Sequence, residues 1–305
     1  MAGQARHYLH LHFVVLVWGF TAILGLFISI PAVEIVLYRT LIATISLGAL
    51  LLIWKKPWRI GGRAFFQILF TGFLIGAHWI LFFGAARVST ASVCLAGMAT
   101  SSLWTSFIEP FFYRKKIKLY EVGLGILAIV GLYLIFSFEF DHALGLIMAV
   151  ASAFLASLFT VINSKFTKVY YHYTITFYEM GGAFLFTLLF IPIYAAYISE
   201  GGIIYWQPTS MDWVYLTILA LVCTVYAYSA SVELMKNISA YAVNLTTNME
   251  PVYGILLALI FLGEKEQMTP GFYAGTAIIL ASVIAYPIIR RYQRKKAAKA
   301  ELSHG

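Results

Sequence analysis

Apolar runs of about 20 residues recur along the whole chain, each bounded by charged or turn-prone residues. An α-helix of about that length crosses the ~30 Å hydrocarbon core of a bilayer, where every backbone N–H and C=O has to be satisfied within the segment. The runs occupy residues 9–30, 32–54, 64–86, 90–110, 119–137, 143–163, 173–197, 212–235, 239–262 and 270–290, which predicts ten transmembrane helices. Composition agrees with lipid as the solvent. The chain is 61% hydrophobic and 11% charged, against roughly 45–50% and about 25% in soluble domains. The longest connection, Ile198 to Met211, has 14 residues and contains Gly201, Gly202 and Pro208, too little for a soluble domain. Function is therefore expected within the membrane. No small-residue cleavage site stands around Ser29 to Ala32, so the first helix is expected to be retained rather than cleaved.

The net charge of +8 is distributed as topology rather than as a nucleic-acid surface. With the N-terminus inside, cytoplasmic segments hold Arg6; Lys55, Lys56, Arg59 and Arg63; Arg114, Lys115, Lys116 and Lys118; Lys165 and Lys168; Lys236; and Arg290, Arg291, Arg294, Lys295, Lys296 and Lys299. These are eighteen of the 21 Lys and Arg residues; Arg87 and Lys265 fall outside, and Arg39 lies within a helix. The pattern predicts a multi-pass protein of the cell (cytoplasmic or inner) membrane with both termini cytoplasmic.

At a constant offset of 150, Ser89 to Phe136 can be laid over Ser239 to Tyr286, pairing Val93 with Val243, Lys115 with Lys265 and Gly125 with Gly275. The same offset pairs Gln67 with Thr217 and His78 with Tyr228. Residues 1–137 and 138–305 thus read as two five-helix repeats, the second ending in a short basic tail. Five is odd, so the second repeat must be inverted. The loops agree, because the basic Arg114, Lys115, Lys116 and Lys118 become Glu264, Lys265 and Glu266. The fold class expected is all-α integral membrane, ten helices in two inverted repeats, an arrangement that encloses a substrate site near the midplane.

Trp18-Gly19-Phe20-Thr21, Tyr38-Arg39, Glu250-Pro251-Val252-Tyr253, Leu262-Gly263-Glu264 and Gly275 together resemble the EamA-type permeases of the drug/metabolite transporter superfamily. The resemblance spans nearly the whole chain. It implies a central cavity built from helices 1–4 and 6–9, with helices 5 and 10 peripheral. The first half departs from the pattern, with Thr100-Ser101 where the second has Glu250-Pro251, and Arg114 in place of Glu264.

Ionisable groups deep in lipid cost at least about 2.5–3.5 kcal/mol on insertion scales, so they are expected to face the interior or a cavity. Glu250 sits near the midplane of helix 9. Pro251 beside it cannot donate to the carbonyl of Thr247, which leaves an acceptor next to a carboxyl group, a pairing suited to a cation or proton. A protonated structural glutamate is the alternative. Arg39 and Glu179 occupy roughly equivalent places in the two halves, and either could grip a charged substrate group or form a structural pair. Glu34, Glu109 and Glu233, nearer helix ends, are expected to reach headgroups or basic neighbours. Gln67, Thr71 and His78 share one face of helix 3, and Thr217, Thr224 and Tyr228 the matching face of helix 8, so His78 and Tyr228 are expected to confront a shared cavity. Imidazole titrates near neutrality, which would also allow proton coupling. Trp18, Tyr38, Trp79, Trp104, Tyr226 and Tyr253 could stack on a substrate or simply pack. Gly72 with Gly76 and Gly271 with Gly275 allow close helix contact, the second pair in internal packing or, as the less favoured reading, at a dimer face. Gly181-Gly182 and Pro192 are candidate bending points in helix 7.

Cys94 and Cys223 lie inside helices without metal-ligand spacing, and no metal or cofactor is expected. The chain holds no G-x-x-x-x-G-K-[ST] loop, so a transporter of this kind would run on a gradient. It holds neither H-E-x-x-H nor G-x-S-x-G, and an intramembrane enzyme is the least favoured reading. The leading reading is a secondary transporter, taken as an exporter, of a small organic metabolite such as an amino acid or amine. A channel or lipid scramblase is the alternative. The expected partners are that small molecule and membrane lipids, without nucleic acid, the protein being a monomer or homodimer.

Overall fold

The computed structural model describes residues 2–303 apart from 139, 239, 248 and 264–268, with side chains for most of them. Among the described residues regular structure is helical throughout. The order is α1 (Ala2–Gly19), α2 (Thr21–Phe27), α3 (Ala32–Ile53), α4 (Gly62–Val88), α5 (Ala91–Met98), α6 (Ser101–Tyr113), α7 (Leu119–Phe138), α8 (Ala143–Phe166), α9 (His172–Tyr197), α10 (Ser210–Ile218), α11 (Ala227–Leu234), α12 (Ala240–Thr247), α13 (Glu250–Leu262) and α14 (Pro270–Ser303), with a π-helical stretch (Leu219–Tyr226) between α10 and α11. Helices stand at every place where an apolar run predicts one. Seven are long and apolar enough to cross a bilayer: α1 with α2, α3, α4, α5 with α6, α8, α9, and α10 through α11. The remaining places are held by α7, by α12 with α13, and by α14. Glu264, Lys265 and Glu266 lie outside the described residues, as do the side chains of Pro251 and Val252.

Three runs expected as single helices are broken. Helix 1 is interrupted at Phe20, where the Thr21 hydroxyl donates back to the Trp18 carbonyl at 2.6 Å. Helices 4 and 9 are interrupted at Ala99–Thr100 and at Met249, and the 150-residue offset pairs Ala99 with Met249. In the second half Pro251 occupies the first turn of α13, where its missing N–H is no loss, whereas it could not have continued α12.

The packing exchanges the halves. α1 packs on α13 while α5 and α6 pack on α8, α4 packs on α9 while α3 packs on the π-helical stretch, and α7 pairs with α14. Two of these crossings require glycine. A Cβ on Gly72 would lie 2.2 Å from the Glu179 carbonyl oxygen, and one on Gly182 the same distance from the Leu69 carbonyl oxygen. A Cβ on Gly19 would lie 2.9 Å from the Gly254 nitrogen. Gly181-Gly182, expected as a bend, therefore sit in an unbroken α9, where Gly182 admits the backbone of α4. The carbonyl of Gly275 faces Gly131 of α7, so that small-residue face is used inside the chain. Phe66, Phe70, Leu189 and Ile193 point outward, as apolar side chains do where lipid replaces water.

Candidate functional site

Where the broken helices meet, a cavity opens in the middle of the bundle, with about 80 Å³ open to the centre of a water-sized sphere. At roughly 10–15 Å³ per water on that measure, it holds several waters or a small organic group. Its walls include Trp18, Thr21, Arg39, His78, Trp79, Phe82, Ser101, Phe159, Thr160, Tyr228, Ser231, Met235, Asn244, Thr247 and Glu250.

Arg39, in the second turn of α3, is 2% exposed. Its Nε donates to Thr224 Oγ1 at 2.7 Å, and its guanidinium lies 3.9 Å from the centroid of the Trp79 ring. Thr224 is in turn fixed by donating to the Leu219 carbonyl, five residues back, at 2.9 Å. That carbonyl belongs to the π-helical stretch. Another carbonyl of the stretch, that of Cys223, accepts from Trp18 Nε1 at 3.1 Å. The π turn thus aligns an arginine from one half and a tryptophan from helix 1 on the same cavity. With Nε engaged, the planar Nη edge of Arg39 remains for a carboxylate-type group.

His78 is held by Ser152 of α8. The Ser152 hydroxyl donates to the His78 carbonyl at 2.9 Å, and Nδ1 lies 2.7 Å from that hydroxyl oxygen and 3.0 Å from the Ser152 carbonyl. Since the single hydroxyl hydrogen is already engaged, Nδ1–H is assigned as the donor, and the neutral ring keeps its lone pair on Nε2. The ring packs edge-on to Phe159 at 5.4 Å.

Glu250, 6% exposed, opens α13 at the helix break and lies within electrostatic range of Arg39. Thr247 and Asn244 continue the same wall, the Asn244 amide donating to Thr105 Oγ1 at 2.7 Å. The site therefore offers a cationic fork, a carboxyl group and an imidazole lone pair between aromatic walls, which is chemistry for a small molecule bearing both a basic and an acidic or polar group.

Seven of the ten candidate residues line the cavity: Glu250, His78, Arg39, Tyr228, Trp18, Trp79 and Thr247. Glu179 stands behind the wall, accepting from the Tyr228 hydroxyl at 3.1 Å. Tyr228 and His78 line the same cavity, and the Tyr228 hydroxyl is bonded to Glu179 and Asn163. Tyr38 lies at one end of the bundle, donating to the Trp206 carbonyl at 2.8 Å, and Tyr253 stands 3.2 Å from His12 Nδ1. Trp104 packs on Phe154, and the Tyr226 hydroxyl meets His10 at 2.9 Å. The polar stripes extend less far than expected. Gln67 and Thr217 are exposed on the outside of the bundle. Thr217 satisfies its hydroxyl on the Trp213 carbonyl at 2.7 Å, and the π turn that follows breaks the 3.6-residue register joining it to Thr224 and Tyr228. Gln67 sits in the second turn of α4, beyond the packed middle of the helix.

At the end of the bundle carrying the 198–209 connection, Asp212 and Arg87 tie the helix ends together. Asp212 accepts from the Ser29 backbone at 2.7 Å and the Ser29 hydroxyl at 2.6 Å, while completing a capping box with Thr209. The Arg87 guanidinium donates to the carbonyls of Gly25, Ile28 and Ile30. Glu34, expected to reach headgroups or a basic neighbour, is fully buried within electrostatic range of Arg87 and accepts from the Tyr205 backbone at 3.1 Å. The folded-back connection brings it a donor, which removes the reason to snorkel. Glu109 and Glu233 do meet basic neighbours, Lys115 at 4.0 Å and His172 at 3.7 Å. Toward the other end the cavity wall reaches Ser231 and Met235, beside Lys236. Sequence reasoning missed Asn244, Asn163, Ser152 and Asp212. The first two were findable as amides inside apolar runs, Asn244 three residues from Thr247 on one helix face.

No curated protein matches the chain. One solved crystal structure, titled only as that of a protein, superposes with a TM-score of 0.68 over 94% of this chain and 99% of its own, at 14% identity, which is a likeness of fold. The model of the EamA-like transporter family matches residues 7–137 and 143–286, two successive pieces that correspond to the two halves packed around the cavity. The chain belongs to the EamA-like transporter family, and it is a multi-pass membrane protein.

Proposed function

We propose that the protein is a secondary transporter that moves a small organic metabolite, such as an amino acid or amine, across the cell membrane by alternating access, with ten spanning helices in two inverted repeats and both termini in the cytoplasm. The observation that carries this reading is the mid-bundle cavity with Arg39, His78 and Glu250 on its walls, clasped at one end by Asp212 and Arg87. With Lys236 and the other basic loops cytoplasmic, the clasp lies outside and the cavity extends inward. That is the posture in which an exporter would load its cargo. Arg39 would take an acidic group, Glu250 a basic one, and Trp18 and Trp79 the apolar remainder. Hydrogen bonds that tie that end of the bundle argue against an open channel.

The test is purified protein in liposomes, following uptake of labelled amino acids and amines with and without an imposed pH gradient, wild type beside Glu250→Gln. Saturable uptake by the wild type that fails in the variant supports the reading. Unsaturable flux of every compound would favour a channel or scramblase instead.

A further inference from the structure

Behind the cavity wall lies a buried carboxyl group with one oxygen unpartnered. Glu179 and Asn163 are both fully buried. Asn163 Nδ2 donates to the Tyr228 hydroxyl at 2.9 Å, and that hydroxyl donates to Glu179 Oε2 at 3.1 Å. Glu179 Oε1 finds no hydrogen-bond partner among the described residues. A buried carboxylate oxygen left without a partner is costly, and a hydrogen on it removes the charge. A metal cation would need more oxygens than two, since the Tyr228 hydroxyl is already engaged in both directions. Among the described residues no cluster of three or more His, Cys, Asp or Glu side chains stands anywhere.

We infer that Glu179 is a proton-binding site and that Tyr228 links the site to the cavity. This rests on the transport reading above and assigns the proton to Glu179 rather than to the cavity carboxyl Glu250. Binding forms one O–H bond on Oε1 and breaks one in a hydronium ion of the cavity, which is left as water. The groups presented to α9 by its neighbours are few. α11 contributes Tyr228, and α8 the neutral Asn163. Arg39 of α3 is turned onto Trp79 and Thr224, and His78 of α4 onto Ser152. His172 and Glu233 pair at the helix end. Loss of the proton leaves a charge on Glu179, and Tyr228, which donates to it, carries that change to the cavity wall. The backbone of Glu179 is itself pressed on Gly72, which leaves the side chain as the part free to respond.

The experiment is infrared spectroscopy of the full-length purified protein across neutral pH, with deuterium exchange to mark carboxylic C=O bands. The wild type is expected to show a deuterium-sensitive carboxylic band that Glu179→Gln removes, that Glu250→Gln retains, and that Tyr228→Phe shifts. Tyr228→Phe and Asn163→Asp serve if Glu179→Gln does not fold, the aspartate adding a second band at the same site. In liposomes, Glu179→Gln should lose accumulation of a panel compound driven by a pH gradient, by about tenfold or more. A band unaffected by both Glu179→Gln and Tyr228→Phe overturns the proposal, as does a band abolished by sodium ions at constant pH, which would make the site a cation site. Failure of every panel compound to move while the band behaves as expected would refute the substrate reading and leave the proton site standing.

Discussion

Helices 4 and 9 break at equivalent positions, yet the two breaks are put to different uses. At the first, Thr100 donates back to the Gly97 carbonyl at 2.8 Å, and the break is closed by its own side chain. At the second, Glu250 stands at the start of α13 with its carboxyl group on the cavity and Arg39 within electrostatic range. The same backbone device is structural in one half and a potential charge receptor in the other. The two halves thus share a helix break without sharing its side chains, because packing is set by small residues and apolar faces, while the residue at the break differs.

The comparison can be attacked at several points. The largest effect is expected from Gly72→Leu, which drives a side chain into the backbone of α9 and should cost about 3 kcal/mol or more, seen as lost monodisperse protein on size-exclusion chromatography. Next, Glu250→Gln should fold normally but reduce saturable uptake by about 100-fold, the scale of removing one member of a buried charge pair. Arg39→Lys keeps the charge but loses the planar fork and the Trp79 stack, so uptake should fall about tenfold, with a larger loss for acidic than for purely basic compounds. Asp212→Asn weakens the clasp on Ser29 and should increase labelling of the cavity from the outer face by a few-fold. The smallest effect belongs to Thr100→Val, within about twofold of wild type in uptake, since it removes only a local hydroxyl bond. If Thr100→Val and Glu250→Gln were equally damaging, the asymmetry between the breaks would be unfounded.

The positions of the helices were legible because lipid leaves a chain few options, and runs such as 64–86 and 143–163 declare themselves by length alone. The interruptions were less so. Pro251 announces the break in helix 9, but Ala99 and Phe20 carry no comparable mark, and their breaks follow from crossings such as Gly19 on Gly254 that join distant segments. Charge drew attention to Arg39 and Glu250, which the cavity brings together. It drew none to Asn163 or Asn244, neutral amides that organise the walls. Glu34 could not be placed from spacing, since its donor comes from Tyr205, 171 residues away. The π turn was invisible because Leu219–Tyr226 has an ordinary apolar composition, yet it fixes which side chains of helix 8 face inward.

The central claim is that the cavity opens to one side of the membrane at a time. The most direct test is modification of a single cysteine at Thr247, with Cys94 and Cys223 replaced by alanine, by a membrane-impermeant maleimide applied to oriented vesicles from either face. The account predicts reaction from the side of the basic loops, little from the side of the Asp212 clasp, and a reversal of that preference when Asp212→Asn and Arg87→Ala are combined. Equal reaction from both faces of the unmodified clasp would contradict it and mark the cavity as part of a continuous pore.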